Sequence, residues 1–260
     1  MAVTTSVSVL FAAFALAACL GLALSLLSIA RSFPQPVCAT YRHWSLALAL
    51  GPLGWLAFEA ADLLHSPWLF IPAKTLVCAS FVEMLRALSR LDGEDAPAYY
   101  WHLPSAFVAA ATTVYVWRFA DVPMRTFLLS AILIGLSVAA AMLANRVSER
   151  LRSRYGWIVV VAMIVAASAV LLRSVVLAKV AGSTHPAVGD LSLSTLFFGV
   201  ALLAPAIGTL GLVLIANDGL LRQQARQADI DGLTGLLNRR ALLRDSAELL
   251  EHTRAHGGEL

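Results

Sequence analysis

Long apolar segments are the feature of this sequence that most restricts its fold. A helix needs roughly 20 apolar residues to cross about 30 Å of hydrocarbon, and seven segments approach or exceed that length, at residues 6–30, 44–64, 67–88, 103–120, 125–145, 157–180 and 193–216. Backbone groups in lipid must form their hydrogen bonds within the segment, which excludes open strands. The sequence therefore predicts an all-α membrane protein in which residues 1–216 form a seven-transmembrane helix bundle.

Composition supports a membrane environment and argues against several soluble classes. Hydrophobic residues make up 59% of the chain and charged residues 13%, with a mean hydropathy of +0.78, values outside the range of soluble globular domains. The net charge of +3 comes from basic residues between the apolar runs, so membrane lipids and not nucleic acid are the expected partner. The three cysteines form no CxxC pair, and we expect neither a disulfide framework nor a metal site.

The distribution of basic residues predicts the orientation of the bundle. One set of alternate loops and span ends carries Arg31, Arg42, Arg86, Arg90, Arg146, Arg150, Arg152, Arg154, Arg222 and Arg226, and the other set carries Arg118, Arg125 and Lys179. The positive-inside rule assigns the richer set to the cytoplasm. The first eight residues contain no Lys or Arg, so the first run is expected to remain as a span. We therefore predict a multi-pass protein of a bacterial cytoplasmic (inner) membrane, with its N-terminus outside and its C-terminus in the cytoplasm.

Charged residues inside the predicted spans are candidates for a sensing site. Glu59 and Asp62 share one helical face of the second span, Lys74 begins the third, and Arg173 lies in the sixth. Such residues are costly in a bilayer and usually face a partner or a cavity. These four residues are a possible sensor cluster for an unknown ligand or for protons. Two alternatives stay open, namely a structural ion pair and snorkelling of Lys74 and Asp62 to the interface.

Two further features of the spans carry expectations. Glu83 and Arg86, three residues apart at the inner end of the third span, predict a surface-facing ion pair. Pro205 lies within the seventh span, where a proline removes a backbone hydrogen bond and kinks a helix. Pro205 is therefore a candidate hinge, although ordinary helix packing explains it equally well.

The chain becomes polar after residue 216. Leu221, Ala225 and Ala228 are spaced by four and three residues, which is typical of a short parallel coiled coil and predicts a homodimer. A helix lying on its own domain would show the same stripe. Residues 217–230 are thus predicted to form a signalling helix, followed by an Asp-Gly turn and a second helix capped by Asn238 or Thr234.

The sequence from Ala228 to Arg240, "ADIDGLTGLLNRR", resembles the opening of GGDEF domains, the catalytic domains of diguanylate cyclases. The resemblance implies that residues 231–260 are the N-terminal fragment of an α/β GGDEF domain. It also implies a coupling turn, with no catalytic residue, formed by Asp231, Leu233, Thr234, Asn238, Arg239 and Arg240. In some members of that family a basic residue near this position contributes to inhibitory product binding.

The same resemblance implies a function for the full-length protein. Diguanylate cyclases join two GTP molecules into cyclic di-GMP with Mg²⁺, and residues 1–216 would then be the sensory and dimerisation module of such an enzyme. The "GGEL" at residues 257–260 is not the family signature, which lies far downstream of the first helix. Residues 1–260 are therefore expected to be inactive alone. The alternative is a membrane receptor or transporter with a non-catalytic or degenerate nucleotide-binding tail.

Overall fold

The computed structural model describes residues 2–94, 97–118, 122–182 and 188–229, and then residues 236, 238, 239, 241–243, 246, 247, 250 and 253. Each predicted span overlaps one long helix. These helices are α1 (Ala2–Ala30), α2 (Val37–Leu63), α3 (Phe70–Asp92), α4 (Ala98–Arg118), α5 (Val122–Arg150), α6 (Gly156–Gly182) and α7 (Val188–Ala228). A short 3₁₀ turn, Pro67–Leu69, precedes α3. The described residues contain no strand, so an all-helical fold is observed and the predicted α/β domain receives no support from it.

Five helical segments of the described residues are long and apolar enough to cross a membrane. They are Val37–Ala61, Pro67–Leu91, Phe127–Arg150, Gly156–Lys179 and Gly199–Ala225. The described apolar part of α1, Phe14–Ala30, is shorter. Helix α4 is not among the five, because Tyr, His and Thr side chains lower its mean hydropathy. These segments identify a helical membrane protein.

The helices approach one another closely at glycines. A Cβ atom on Gly54 of α2 would lie 2.7 Å from Cγ2 of Val77 and 2.9 Å from the carbonyl oxygen of Ala73, both on α3. Only a residue without a side chain permits this approach of two backbones. The hydrophobic core next to this contact contains buried residues of α3, α5, α6 and α7, among them Phe81, Leu133, Ala166 and Leu202.

The chain divides into two compact units, Met1–Ile215 and Ala216–Leu260. The division falls one residue from the predicted boundary after residue 216. The predicted signalling helix and the predicted GGDEF fragment both belong to the second unit. Helix α7 contributes residues to both units.

Candidate functional site

A histidine, a glutamate and an arginine form a polar cluster inside the first unit. Nδ1 of His43, on α2, lies 2.6 Å from Oε2 of Glu83 on α3, and Nη1 of Arg86 lies 3.5 Å from Oε1 of the same carboxylate. The Glu83 side chain is only 5% exposed, and those of Arg86 and His43 are 15% and 20% exposed. His102 on α4 is close enough to interact electrostatically with Glu83. A buried carboxylate needs such partners, because an unpaired charge is costly in an apolar interior.

The predicted surface-facing pair of Glu83 and Arg86 is therefore corrected in one respect. The two residues do pair, but Glu83 is buried and Arg86 is largely covered, so the pair does not face the surface. The reason is that α2 packs against α3 and places His43 over the carboxylate. Spacing along one helix reveals that two residues share a face, but not that another helix covers that face.

Trp44, the residue after His43, connects α2 to α7. Its indole Nε1–H donates to Oγ1 of Thr209 over 2.9 Å, and the Thr209 hydroxyl donates to the carbonyl oxygen of Pro205 over 3.0 Å. Trp44 is completely buried. A threonine hydroxyl that bonds back to the carbonyl four residues earlier tends to bend a helix, and a proline at the same turn removes a backbone donor. The candidate hinge of α7 is thus tied to α2 by a hydrogen-bonded chain.

One turn of α2 consequently contacts two other helices. His43 reaches Glu83 of α3, and Trp44 reaches Thr209 of α7. We call the set of His43, Trp44, Glu83, Arg86 and Thr209 the polar junction. Glu83 on α3 and Thr209 on α7 are therefore linked through two neighbouring residues of α2. A change of charge or hydrogen bonding at Glu83 thus has a short physical path to α7.

The predicted sensor cluster is only partly visible. Glu59 is exposed and accepts a hydrogen bond from Nε1 of Trp55, one turn earlier on α2, over 3.1 Å. Lys74 is buried on α3, and Arg173 is partly exposed on α6. The side chain of Asp62 lies outside the described residues. A sensing role for these four residues remains a prediction.

A second ionic cluster joins the ends of α3 and α5. Asp92, whose side chain is 1% exposed, lies 3.0 Å from Nη1 of Arg150 and 3.2 Å from Nε of Arg146. Arg146 also pairs with Glu94 at 2.9 Å. Gly93 ends α3 with a φ of 79°, and a Cβ atom there would lie 3.3 Å from the Arg150 guanidinium. Two of the arginines predicted to orient the bundle therefore also hold two helix ends together.

Within the second unit, Asn238 joins the end of α7 to the helix that follows. Its Nδ2 donates to the carbonyl oxygen of Ala228 over 2.6 Å, and its backbone N–H donates to the carbonyl oxygen of Asp229 over 2.8 Å. Its Oδ1 accepts from the backbone N–H of Ala241 over 2.9 Å, the geometry of a helix N-cap. The prediction that Asn238 caps the second helix is confirmed.

The other predicted coupling residues have different outcomes. Arg239 is helical and exposed. Asp231, Leu233, Thr234 and Arg240 lie outside the described residues. Their predicted roles are therefore not tested.

The stripe predicted to mediate dimerisation lies on the exposed surface of α7. Leu221, Ala225 and Ala228 are all exposed on α7. An apolar stripe that its own chain leaves exposed is available to a second copy.

Sequence reasoning missed three members of the polar junction, His43, Trp44 and Thr209, as functional residues. The only local signal was a polar residue next to a tryptophan near the start of an apolar run.

Within the described part of the chain, no group of three or more His, Cys, Asp or Glu side chains is placed to hold a metal ion. Comparison of the chain with family models, with curated proteins and with solved structures finds no match.

Proposed function

We propose that residues 1–216 are the sensory and dimerisation module of a membrane diguanylate cyclase, coupled through residues 217–230 to a GGDEF domain that begins at residue 231. The observation that carries the proposal is the position of Asn238. This residue of the family-like segment donates hydrogen bonds to the carbonyl groups of Ala228, the last residue of α7, and of Asp229, and it caps the next helix. A segment that joins two helices through one side chain is suited to pass a rotation or a shift from the first helix to the second.

The polar junction gives the proposed sensor a physical input to α7. Trp44 binds Thr209 at the turn of Pro205, and its neighbour His43 binds Glu83. The proposal includes seven membrane crossings. Five helical segments of the described residues meet the length and hydropathy requirement for a crossing. Positive-inside counting then places the C-terminus in the cytoplasm, where GTP is available.

A homodimer is part of the proposal because a cyclase that joins two GTP molecules needs two catalytic domains facing each other. The exposed stripe of Leu221, Ala225 and Ala228 is the proposed contact between the two copies. GTP and Mg²⁺ would bind to the catalytic residues of the GGDEF domain, which the family resemblance implies lie downstream of its first helix.

The test is to express the complete reading frame in a bacterial strain and to measure cyclic di-GMP by mass spectrometry. We expect an increase over the empty vector, and we expect Asn238→Ala to change that output while leaving the membrane level of the protein unchanged. Gln227→Ala, on the exposed surface of α7, is the matched control. A complete protein that makes no cyclic di-GMP would overturn the cyclase assignment.

The second candidate is a membrane receptor or transporter with a non-catalytic tail. The buried polar cluster of His43, Glu83 and Arg86 favours it, because ionisable residues inside a bundle often mark a substrate or proton path. If the complete protein makes no cyclic di-GMP but purified protein in liposomes moves protons or another solute, and Glu83→Gln abolishes that movement, this second function replaces the first.

A further inference from the structure

An open groove lies between three helices in the half of the bundle next to the arginine-rich loops. Helices α4 and α5 both pack on α3 but scarcely touch each other, so α3 forms the floor of a groove of about 250 Å³ between them. Its lining is almost wholly apolar and comprises Val82, Leu85, Tyr100, Trp101, Pro104 and Leu136. Leu85 lies six residues before Leu91, the end of its candidate span, or about 9 Å along the helix. The groove therefore opens within one leaflet.

An incompletely paired arginine on α3 is next in sequence to a residue of the groove floor. Arg86 follows Leu85 and is one helical turn after Val82, so it shares a face with the groove floor. Glu83 makes its short contact with His43, at 2.6 Å, and leaves Arg86 a contact of 3.5 Å. A charge-assisted hydrogen bond from nitrogen to oxygen is usually about 2.7–2.9 Å long. Nε of Arg86 is buried and has no hydrogen-bond acceptor among the described residues.

These two features together define a site for an amphiphile. A guanidinium that is short of acceptors is costly. The Arg86 side chain is 15% exposed, so an anion at its exposed part would add acceptors that Glu83 does not supply. Arginine presents its donors in a fork that matches the oxygens of a phosphate group. The groove next to it would accept a hydrocarbon chain, because its lining offers apolar contacts and almost no polar group that the chain would leave unpaired.

We propose that the groove binds one acyl chain of an anionic phospholipid whose phosphate accepts hydrogen bonds from Arg86. A bilayer presents this class of molecule to the surface of a helix bundle, and the groove is open between α4 and α5. Tyr100, which is largely exposed, and Trp101 lie at the start of α4, as expected for aromatic residues at the level of lipid headgroups. The proposal requires only the helix bundle and is independent of the cyclase assignment.

The proposal is tested by native mass spectrometry of the full chain purified in mild detergent. After delipidation the protein is titrated with phosphatidylglycerol, phosphatidylcholine or oleate. We expect one phosphatidylglycerol bound per chain in preference to the other two. Arg86→Gln should weaken binding about tenfold or more, the usual effect of removing a hydrogen bond to a charged group.

A pair of matched variants isolates the groove. Leu136→Trp fills it and should abolish retention of the lipid, whereas Val138→Trp adds the same side chain two residues along α5, where Val138 is already 48% exposed, and should leave retention unchanged. Thermal unfolding and gel filtration verify that each variant is folded, and Leu136→Trp decides the question if Arg86→Gln does not fold. Equal lipid retention by the wild type and Leu136→Trp, or binding of phosphatidylcholine or oleate as tight as that of phosphatidylglycerol, would overturn the proposal.

Discussion

At the scale of single residues, Asp92 shows how one buried carboxylate can hold two helix ends. Its partners Arg146 and Arg150 have side chains that are 64% and 56% exposed, so each arginine stays solvated. The carboxylate accepts a hydrogen bond from Arg150 and forms an ion pair with Arg146. We expect Asp92→Asn to lower the free energy of unfolding by about 1.5–3 kcal/mol, the range for hydrogen bonds to charged groups. Thermal unfolding in detergent measures this loss.

The matched control for Asp92→Asn is Glu94→Gln. Glu94 contacts the same Arg146, but its side chain is 50% exposed, and exposed ion pairs contribute only about 0–1 kcal/mol. We expect Glu94→Gln to unfold at nearly the wild-type temperature. Equal losses in the two variants would show that burial of Asp92 is not what makes its pairing important.

The residue scale also shows which parts of the site a sequence can predict. The cap by Asn238 could be predicted because it depends on a contact with Ala241, three residues away. The contact of His43 with Glu83 spans 40 residues, and the contact of Trp44 with Thr209 spans 165. The spacing of residues along one helix does not show which other helix packs against it. The polar junction therefore could not be predicted from the residue pattern.

At the scale of elements, the contact of α6 with α7 depends on a glycine. A Cβ atom on Gly211 would lie 2.8 Å from Cγ2 of Val159 and 3.0 Å from its backbone nitrogen. Because backbone cannot move aside as a flexible side chain can, Gly211→Ala should force the two helices apart. We expect a loss of about 1–3 kcal/mol, the usual cost of overpacking, measured by thermal unfolding.

Gly208→Ala, one turn earlier on α7, is the control for Gly211→Ala. The Cβ atom there would lie 3.5 Å from its nearest neighbours, which is ordinary van der Waals contact. We expect this variant to be as stable as the wild type or slightly more stable, because alanine favours a helix more than glycine does. A similar loss in both variants would indicate that helix propensity or hinge flexibility, and not close packing, is responsible.

Element positions could be predicted better than element ends. Each apolar run contains or overlaps a helix because the length of the run and the need to bond the backbone internally leave no other structure. Helix α2, however, begins at Val37, seven residues before the predicted start at residue 44. Tyr41, Arg42 and His43 are polar or amphipathic and so fall outside an apolar run, yet the backbone there is helical. His43, one of the five residues of the polar junction, lies in this stretch.

At the scale of the whole molecule, the predicted orientation can be tested because the native cysteines are buried. Cys19, Cys38 and Cys78 are free and inaccessible, so a membrane-impermeant maleimide should not label the wild type. His65→Cys, in the turn after α2, should be labelled in intact spheroplasts, and Arg152→Cys, in the turn after α5, only after permeabilisation. The reverse pattern would show that the arginine-rich loops lie outside.

The proposed coupling predicts a periodic response in the complete protein. Each residue inserted into a helix rotates the downstream part of the chain by about 100°, so insertions between Asn217 and Ala228 turn the residues that follow Ala228 by defined angles. Seven residues add about 700°, which nearly restores the original direction, whereas two residues add about 200°, which nearly reverses it. We expect cyclic di-GMP output near the wild-type level for seven inserted residues, the largest change for two, and an intermediate effect for four, which leave a rotation of about 40°.

The same series separates helix coupling from simple tethering. A flexible tether would transmit no direction, and output would then be indifferent to two, four or seven inserted residues or would fall steadily with length. Membrane levels of each variant, measured by immunoblot, exclude loss of protein as the cause. The hydrogen bond from Trp44 to Thr209 acts on α7 before the insertion site. If the output varies with the helical period, Thr209→Val should therefore still alter cyclic di-GMP output in the variant with seven inserted residues.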